Sequence, residues 1–146
     1  MSLNKYFIGI DIGGTKCTLT VSNKELKILH RIQFATHTER GPNYAINQIL
    51  KIIDEFKIKI DFEKVKSIGI SCGGPLNSKR GLVLSPPNLP GWDNIPIVEI
   101  INNKTDKPTF IQNDANACAL AEWRYGAGIG TQNMIFLTFG TGLGAG

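Results

Sequence analysis

The stretch IGIDIGGTK, residues 8–16, breaks an apolar strand with an acid and then turns on two glycines. Ile8, Ile10 and Ile12 alternate with Gly9 and Asp11, the period of a half-buried strand. Thr18–Val21 read as a second strand, so the glycines sit in the connecting turn. Gly13 and Gly14 carry no side chain, which lets backbone N–H groups approach an anion closely and adopt positive φ where needed. Thr15 adds a hydroxyl donor and Lys16 a positive charge, and the combination suits phosphate. Asp11 is no phosphate ligand; its natural partner beside phosphate is a hydrated Mg²⁺. The spacing is neither GxxxxGK[ST] nor GxGxxG, so the P-loop and dinucleotide readings fail. Taken alone, the stretch reads equally as an Asx-Gly hairpin turn.

Downstream of it, a turn at Ser22–Lys24 leads to a third strand at 26–35. Pro42 suits the first turn of a helix, and Ile46, Ile49, Leu50, Ile53 and Phe56 recur at helical spacing. Val65–Ser71 read as a buried strand closed by Cys72-Gly73-Gly74-Pro75. A polar, Pro- and Gly-rich loop then runs from Leu76 to Pro96, longer than ordinary connections and therefore a functional-loop candidate, with a small hairpin arm at 81–84. A short helix at 97–103, a strand at 108–112, a helix at 114–125 and a strand at 134–139 complete the order. Three strands in a meander followed by α/β alternation predict a mixed sheet covered by helices.

Three further pieces carry chemistry. Thr138–Gly144 (TFGTGLG) repeat the theme of an apolar strand delivered into a Gly/Thr turn, and two such turns are suited to facing one phosphate chain from opposite sides. Asn113-Asp114 stand where a strand gives way to a helix. An acid there commonly serves only as N-cap. It also stands at the C-terminal end of a strand, where α/β proteins place ligand sites, and the helix N-terminus favours negative charge. An ionised acid there is equipped to accept a hydroxyl proton during phosphoryl transfer. SPPNLPGW, residues 85–92, is a proline-stiffened loop with an amide at Asn88 and a packing anchor at Trp92. It suits polyhydroxyl recognition and equally a purely structural loop.

The 146 residues suffice for a sizeable core, and 42% hydrophobic with 19% charged residues is ordinary globular composition. The net charge of +4 is scattered, with no basic run that would mark a nucleic-acid partner. No apolar stretch reaches the roughly 20 residues of a membrane span, and no signal peptide is evident. Cys17, Cys72 and Cys118 are odd in number and far apart, which fits reduced thiols in the cytoplasm. His30 and His37 have no metal-ligand spacing with a cysteine, so no zinc site is expected among these residues.

Taken together, Asp11–Lys16, Gly69–Pro75, Ser85–Trp92, Asn113–Asn116 and Phe139–Gly144 resemble, in order and rough spacing, the ROK family of sugar kinases and related repressors. The resemblance implies a ribonuclease-H-like, actin-like ATPase lobe and ATP-dependent phosphorylation of a hexose or N-acetyl amino-sugar hydroxyl. Carried over by position, Asp11 organises Mg²⁺ through water, Gly13, Gly14, Thr15 and Lys16 form one phosphate turn, and Gly140, Thr141 and Gly142 the other. Asp114 becomes the general base, and Gly74, Asn88, Asn113 and Asp114 meet the sugar. The implied partners are a sugar and ATP, with neither membrane nor nucleic acid, and a homodimer for the full-length protein.

Gly73-Gly74-Pro75 stands where typical members have Pro-Gly-Pro, and Asn77 where an acid is frequent. Residues 1–125 are expected to form the N-terminal lobe and 126–146 a linker with the first strand and phosphate turn of a second. The family's Glu-x-Gly-His sugar contacts, zinc motif and adenosine segment are expected beyond Gly146, which predicts a fragment without activity of its own. A repressor's sugar-sensing domain is the alternative.

Overall fold

The computed structural model describes residues 5–139 and 143–146. The alternation at its start becomes β1 (Tyr6–Ile12), which buries Ile8, Ile10 and Ile12 and leaves Asp11 on the other face. β2 (Lys16–Asn23) pairs antiparallel with β1, and β3 (Ile28–Ala35) antiparallel with β2. β3 begins later than expected because Asn23 extends the turn: its carbonyl accepts from Leu26 N–H at 3.1 Å and its Oδ1 from Lys27 N–H at 2.9 Å.

α1 (Pro42–Lys59) starts with proline in its first turn, after Gly41 at φ 74°, and buries Ala45, Ile46, Ile49, Ile52, Ile53 and Phe56. This stripe packs on the apolar face of the sheet. β4 (Val65–Cys72) returns parallel to β1 on its far side. β5 (Leu76–Asn77) and β6 (Leu82–Val83) form a small antiparallel pair. α2 (Ile97–Thr105) adds Ile97 and Ile101 to the core, and β7 (Thr109–Asn113) pairs parallel with β4. α3 (Asp114–Tyr125) follows β7 with no intervening residue.

The five-stranded sheet has the order β3-β2-β1-β4-β7, a meander continued by α/β units, as the sequence pattern predicts. β8 (Leu137–Phe139) and β9 (Leu143–Ala145) form a separate antiparallel pair. β8 is shorter than the expected strand at 134–139. Met134 instead packs on Gly128, where a Cβ would collide with its sulfur. Among the described residues no helix is long and apolar enough to cross a membrane.

The stretch 76–96 is not the open loop its composition implies. Val83 exchanges both backbone hydrogen bonds with Ile95, at 3.0 and 3.1 Å, and Leu89 and Trp92 are fully buried. Ser85 N–H donates to Trp92 O at 2.8 Å and Trp92 N–H to Leu89 O at 3.2 Å, closing residues 85–92 into a rigid bow. Trp92 is the packing anchor expected of it.

Candidate active site

β1, β4 and β7 run parallel, so their C-terminal ends meet at one edge of the sheet. The register is continuous there: Ile12 lies opposite Cys72, and Cys72 opposite Asn113. The residues immediately beyond those pairs are Gly13-Gly14, Gly73-Gly74 and Asp114. Strand pairing alone therefore gathers three of the pieces singled out in the sequence.

Asn113 is the N-cap of α3, its Oδ1 accepting from Asn116 N–H at 3.3 Å. The capping role considered for Asp114 thus falls to its neighbour. Asp114 is the first helical residue, exposed, and one of its oxygens accepts from Ala115 N–H at 2.8 Å. A cleft of about 650 Å³ opens in front of it, lined by Gly73, Gly74, Asn88, Asn113 and Asp114, with Thr138 and Gly144 of the β8–β9 pair across the gap. All four residues expected to meet a sugar, Gly74, Asn88, Asn113 and Asp114, share this cleft.

Its floor is shaped by missing side chains. A Cβ on Gly74 would lie 3.4 Å from Asn113 Nδ2, and one on Gly73 would lie 3.4 Å from Asn88 Oδ1. The two amides therefore rest against adjacent glycine backbone, with their polar atoms at the cleft wall.

The turn between β1 and β2 is closed by Gly13 N–H donating to Lys16 O at 3.1 Å. Neither Gly13 nor Gly14 has positive φ, so the conformational freedom expected of them is not what the turn uses. Close approach is. A Cβ on Gly13 would lie 2.8 Å from Lys16 O, and one on Gly14 would lie 2.5 Å from Asn88 O. Thr15 and Lys16 are exposed. The other turn residues, Gly140, Thr141 and Gly142, lie outside the described residues; their flanks are the paired strands β8 and β9.

Asp11 does not line the 650 Å³ cleft. It borders a hollow of about 500 Å³ on the exposed sheet face, with Gly9, Thr18, Gly69 and Ser71. Crowding among the strands raises its carboxyl above the ordinary pKa, opposed by the neighbouring Ser71 hydroxyl. The Asp114 carboxylate raises it further and Lys16 lowers it. Ser71, opposite Asp11 in the β1–β4 register, carries no sequence signal of this part; only the pairing reveals it.

The charge of the Asp114 carboxylate reaches Asp11, and carboxylate oxygens of this kind suit a hard cation that keeps most of its waters, the coordination habit of Mg²⁺. Among the described residues no group of three or more His, Cys, Asp or Glu converges as a metal cage. Cys72, buried beside the site, has its thiol pushed up to about 12 by desolvation, with smaller contributions from Asp114, Cys17 and Asp11. It is an inert packing group there.

The ROK family model matches residues 7–146. Glucokinase of Thermotoga maritima is 36% identical over 139 residues, covering 95% of this chain and 43% of that protein. The crystal structure of a ROK family glucokinase from Streptomyces griseus, in complex with glucose and AMPPNP, superimposes with a TM-score of 0.83 at 34% identity, over 96% of this chain and 43% of that one. A ROK family transcriptional regulator, a homologue of the E. coli MLC protein, superimposes with a TM-score of 0.85 at 27% identity, over 97% of this chain and 36% of that one. The chain thus spans less than half the length of these relatives. The ribonuclease-H-like, actin-like ATPase fold expected from the sequence is the fold these neighbours share with it. From the match across residues 7–146 and the shared fold, the chain belongs to the ROK family.

Proposed function

We propose that this chain is the N-terminal lobe of a cytoplasmic ATP-dependent sugar kinase that phosphorylates a hydroxyl of a hexose or N-acetyl amino sugar. The observation that carries the reading is Asp114, an exposed carboxylate at the C-terminal end of β7, in one cleft with the amides of Asn88 and Asn113.

In this reading the two amides and the backbone at Gly74 hold the sugar, each amide offering both a donor and an acceptor to its hydroxyls. Asp114 accepts the proton of the attacking hydroxyl as its oxygen bonds to the γ-phosphorus. The bond from that phosphorus to the bridging oxygen breaks and ADP departs. Gly13–Lys16 hold the phosphate chain from one side and Gly140–Gly142 from the other. Asp11, beside Ser71, would hold Mg²⁺ through water, and the ion when bound would supply charge neutralisation at the phosphates.

The likeness to a ROK transcriptional regulator favours a second reading, a sugar-sensing domain on the same lobe. One experiment separates them. The full-length protein carrying this segment is offered ATP with glucose, mannose, fructose and N-acetylated amino sugars, and ADP release is followed. Sugar-dependent turnover is the expected result, with residues 1–146 alone showing none. Sugar binding without ADP release from any of them overturns the kinase reading and supports the sensor.

A further inference from the structure

Thr36 follows the last residue of β3 and is 1% exposed. Two other buried threonines, Thr105 and Thr109, use their hydroxyls locally, on Ile101 O and Lys107 O. Thr36 reaches 23 residues back: its Oγ1 donates to Gly13 O at 2.6 Å, and its backbone N–H donates to Thr15 O at 3.0 Å.

Both contacts act on the turn proposed to hold phosphate. In a four-residue turn the first carbonyl ordinarily accepts from the fourth N–H. Here Gly13 N–H donates to Lys16 O, but Lys16 N–H makes no return bond to Gly13 O, which is taken by the Thr36 hydroxyl. The C=O and N–H of a trans peptide point in opposite directions. Fixing Gly13 O and Thr15 O on Thr36 therefore directs Gly14 N–H and Lys16 N–H to the far side of the turn. Those are the donors an anion needs.

The geometry points to Thr36 as a positioning residue for the nucleotide phosphates, acting through the amides of Gly14 and Lys16. This rests on the kinase reading of the turn. Without the hydroxyl, Gly13 O is released to accept from Lys16 N–H, and the turn closes on itself.

The test is steady-state kinetics of the full-length protein with Thr36→Val, which keeps the shape, and Thr36→Ala, which shares with it only the loss of the hydroxyl. Thr36→Ser serves as the rescue. Both hydroxyl-free variants are expected to lose about tenfold or more in kcat/KM for ATP while the sugar KM moves less than about threefold. The serine variant is expected within about threefold of wild type. Thermal melts run beside the kinetics separate positioning from a general loss of fold. Equal losses toward ATP and sugar, or failure of serine to rescue, overturn the inference. So does an ATP kcat/KM within about twofold of wild type in both variants. A wild-type protein without sugar-dependent ADP release overturns the kinase reading itself, and the inference with it.

Discussion

Gly14 abuts Asn88 so closely that a Cβ on the glycine would lie 2.5 Å from the Asn88 carbonyl oxygen and 3.0 Å from its Cβ. The turn assigned to phosphate and the bow assigned to sugar are therefore packed as one body. Gly14→Ala forces the two apart. Overpacking of this kind costs about 1–3 kcal/mol, or a Tm lowered by about 2–4 °C for each kcal/mol in a domain of this size. In the full-length protein KM should rise for both ATP and sugar. Gly69→Ala is the control, since a Cβ there meets nothing within 4 Å. It should stay within about 1 kcal/mol of wild type. Equal melting shifts for the two variants would sink the packing argument.

Asp114→Asn keeps the shape and the bond from Ala115 N–H but removes the proton acceptor. In the full-length protein kcat should fall by about 10²–10⁴-fold with sugar affinity nearly unchanged. A kcat within about tenfold of wild type shows that Asp114 is not the base.

The crowded carboxyl of Asp11 makes a prediction about stability. Its pKa in the folded chain is raised above the ordinary 3.8, chiefly by burial, so the fold binds that proton more tightly than the unfolded chain does. Stability from this group is greatest at low pH and is lost as pH rises from 3.8 through the raised value. At neutral pH the ionised group is a burden on the fold. Asp11→Asn should therefore raise the Tm of residues 1–146 modestly at pH 7, where the carboxyl is ionised. The gain should shrink as pH falls below the carboxylate range. A gain that is the same at acid and neutral pH would show that ionisation is not its source.

Thiol titration offers a test of the core. Cys17 and Cys72 are buried and Cys118 is exposed. A disulfide reagent at pH 8 should modify one thiol per native chain, Cys118, and three after denaturation. Modification of Cys72 in native protein would show that the strand ends open far more often than their packing implies.

The meander, the helix stripes and the Asn113-Asp114 junction were legible because each rests on local pattern: alternation, helical spacing, a strand yielding to a helix. Whether Asp114 was cap or free acid was not legible. Both readings use the same residues, and only the bond from Asn116 N–H to Asn113 Oδ1 decides between them. Ser71 and Thr36 were invisible for a different reason. Each matters through a partner in another element, Asp11 across the β1–β4 register and Gly13 at 23 residues' distance, and single hydroxyls carry no periodicity. The bow at 85–92 was half legible: Trp92 announced an anchor, but the pairing of Val83 with Ile95 that carries it has no short-range signal.

Because Asp11, Gly73-Gly74 and Asp114 are all measured out along three mutually registered strands, the chain is unequally tolerant of changes in its own length. One residue inserted into β1, β4 or β7 shifts everything beyond it by about 3.3 Å and turns each side chain to the opposite face. In β1 that exchanges the isoleucines for Asp11 on the core side. The same insertion in the exposed turn at 78–80 moves nothing in the cleft. Lineages descended from such a lobe are free to lengthen that turn, while the three strands are held to a fixed count.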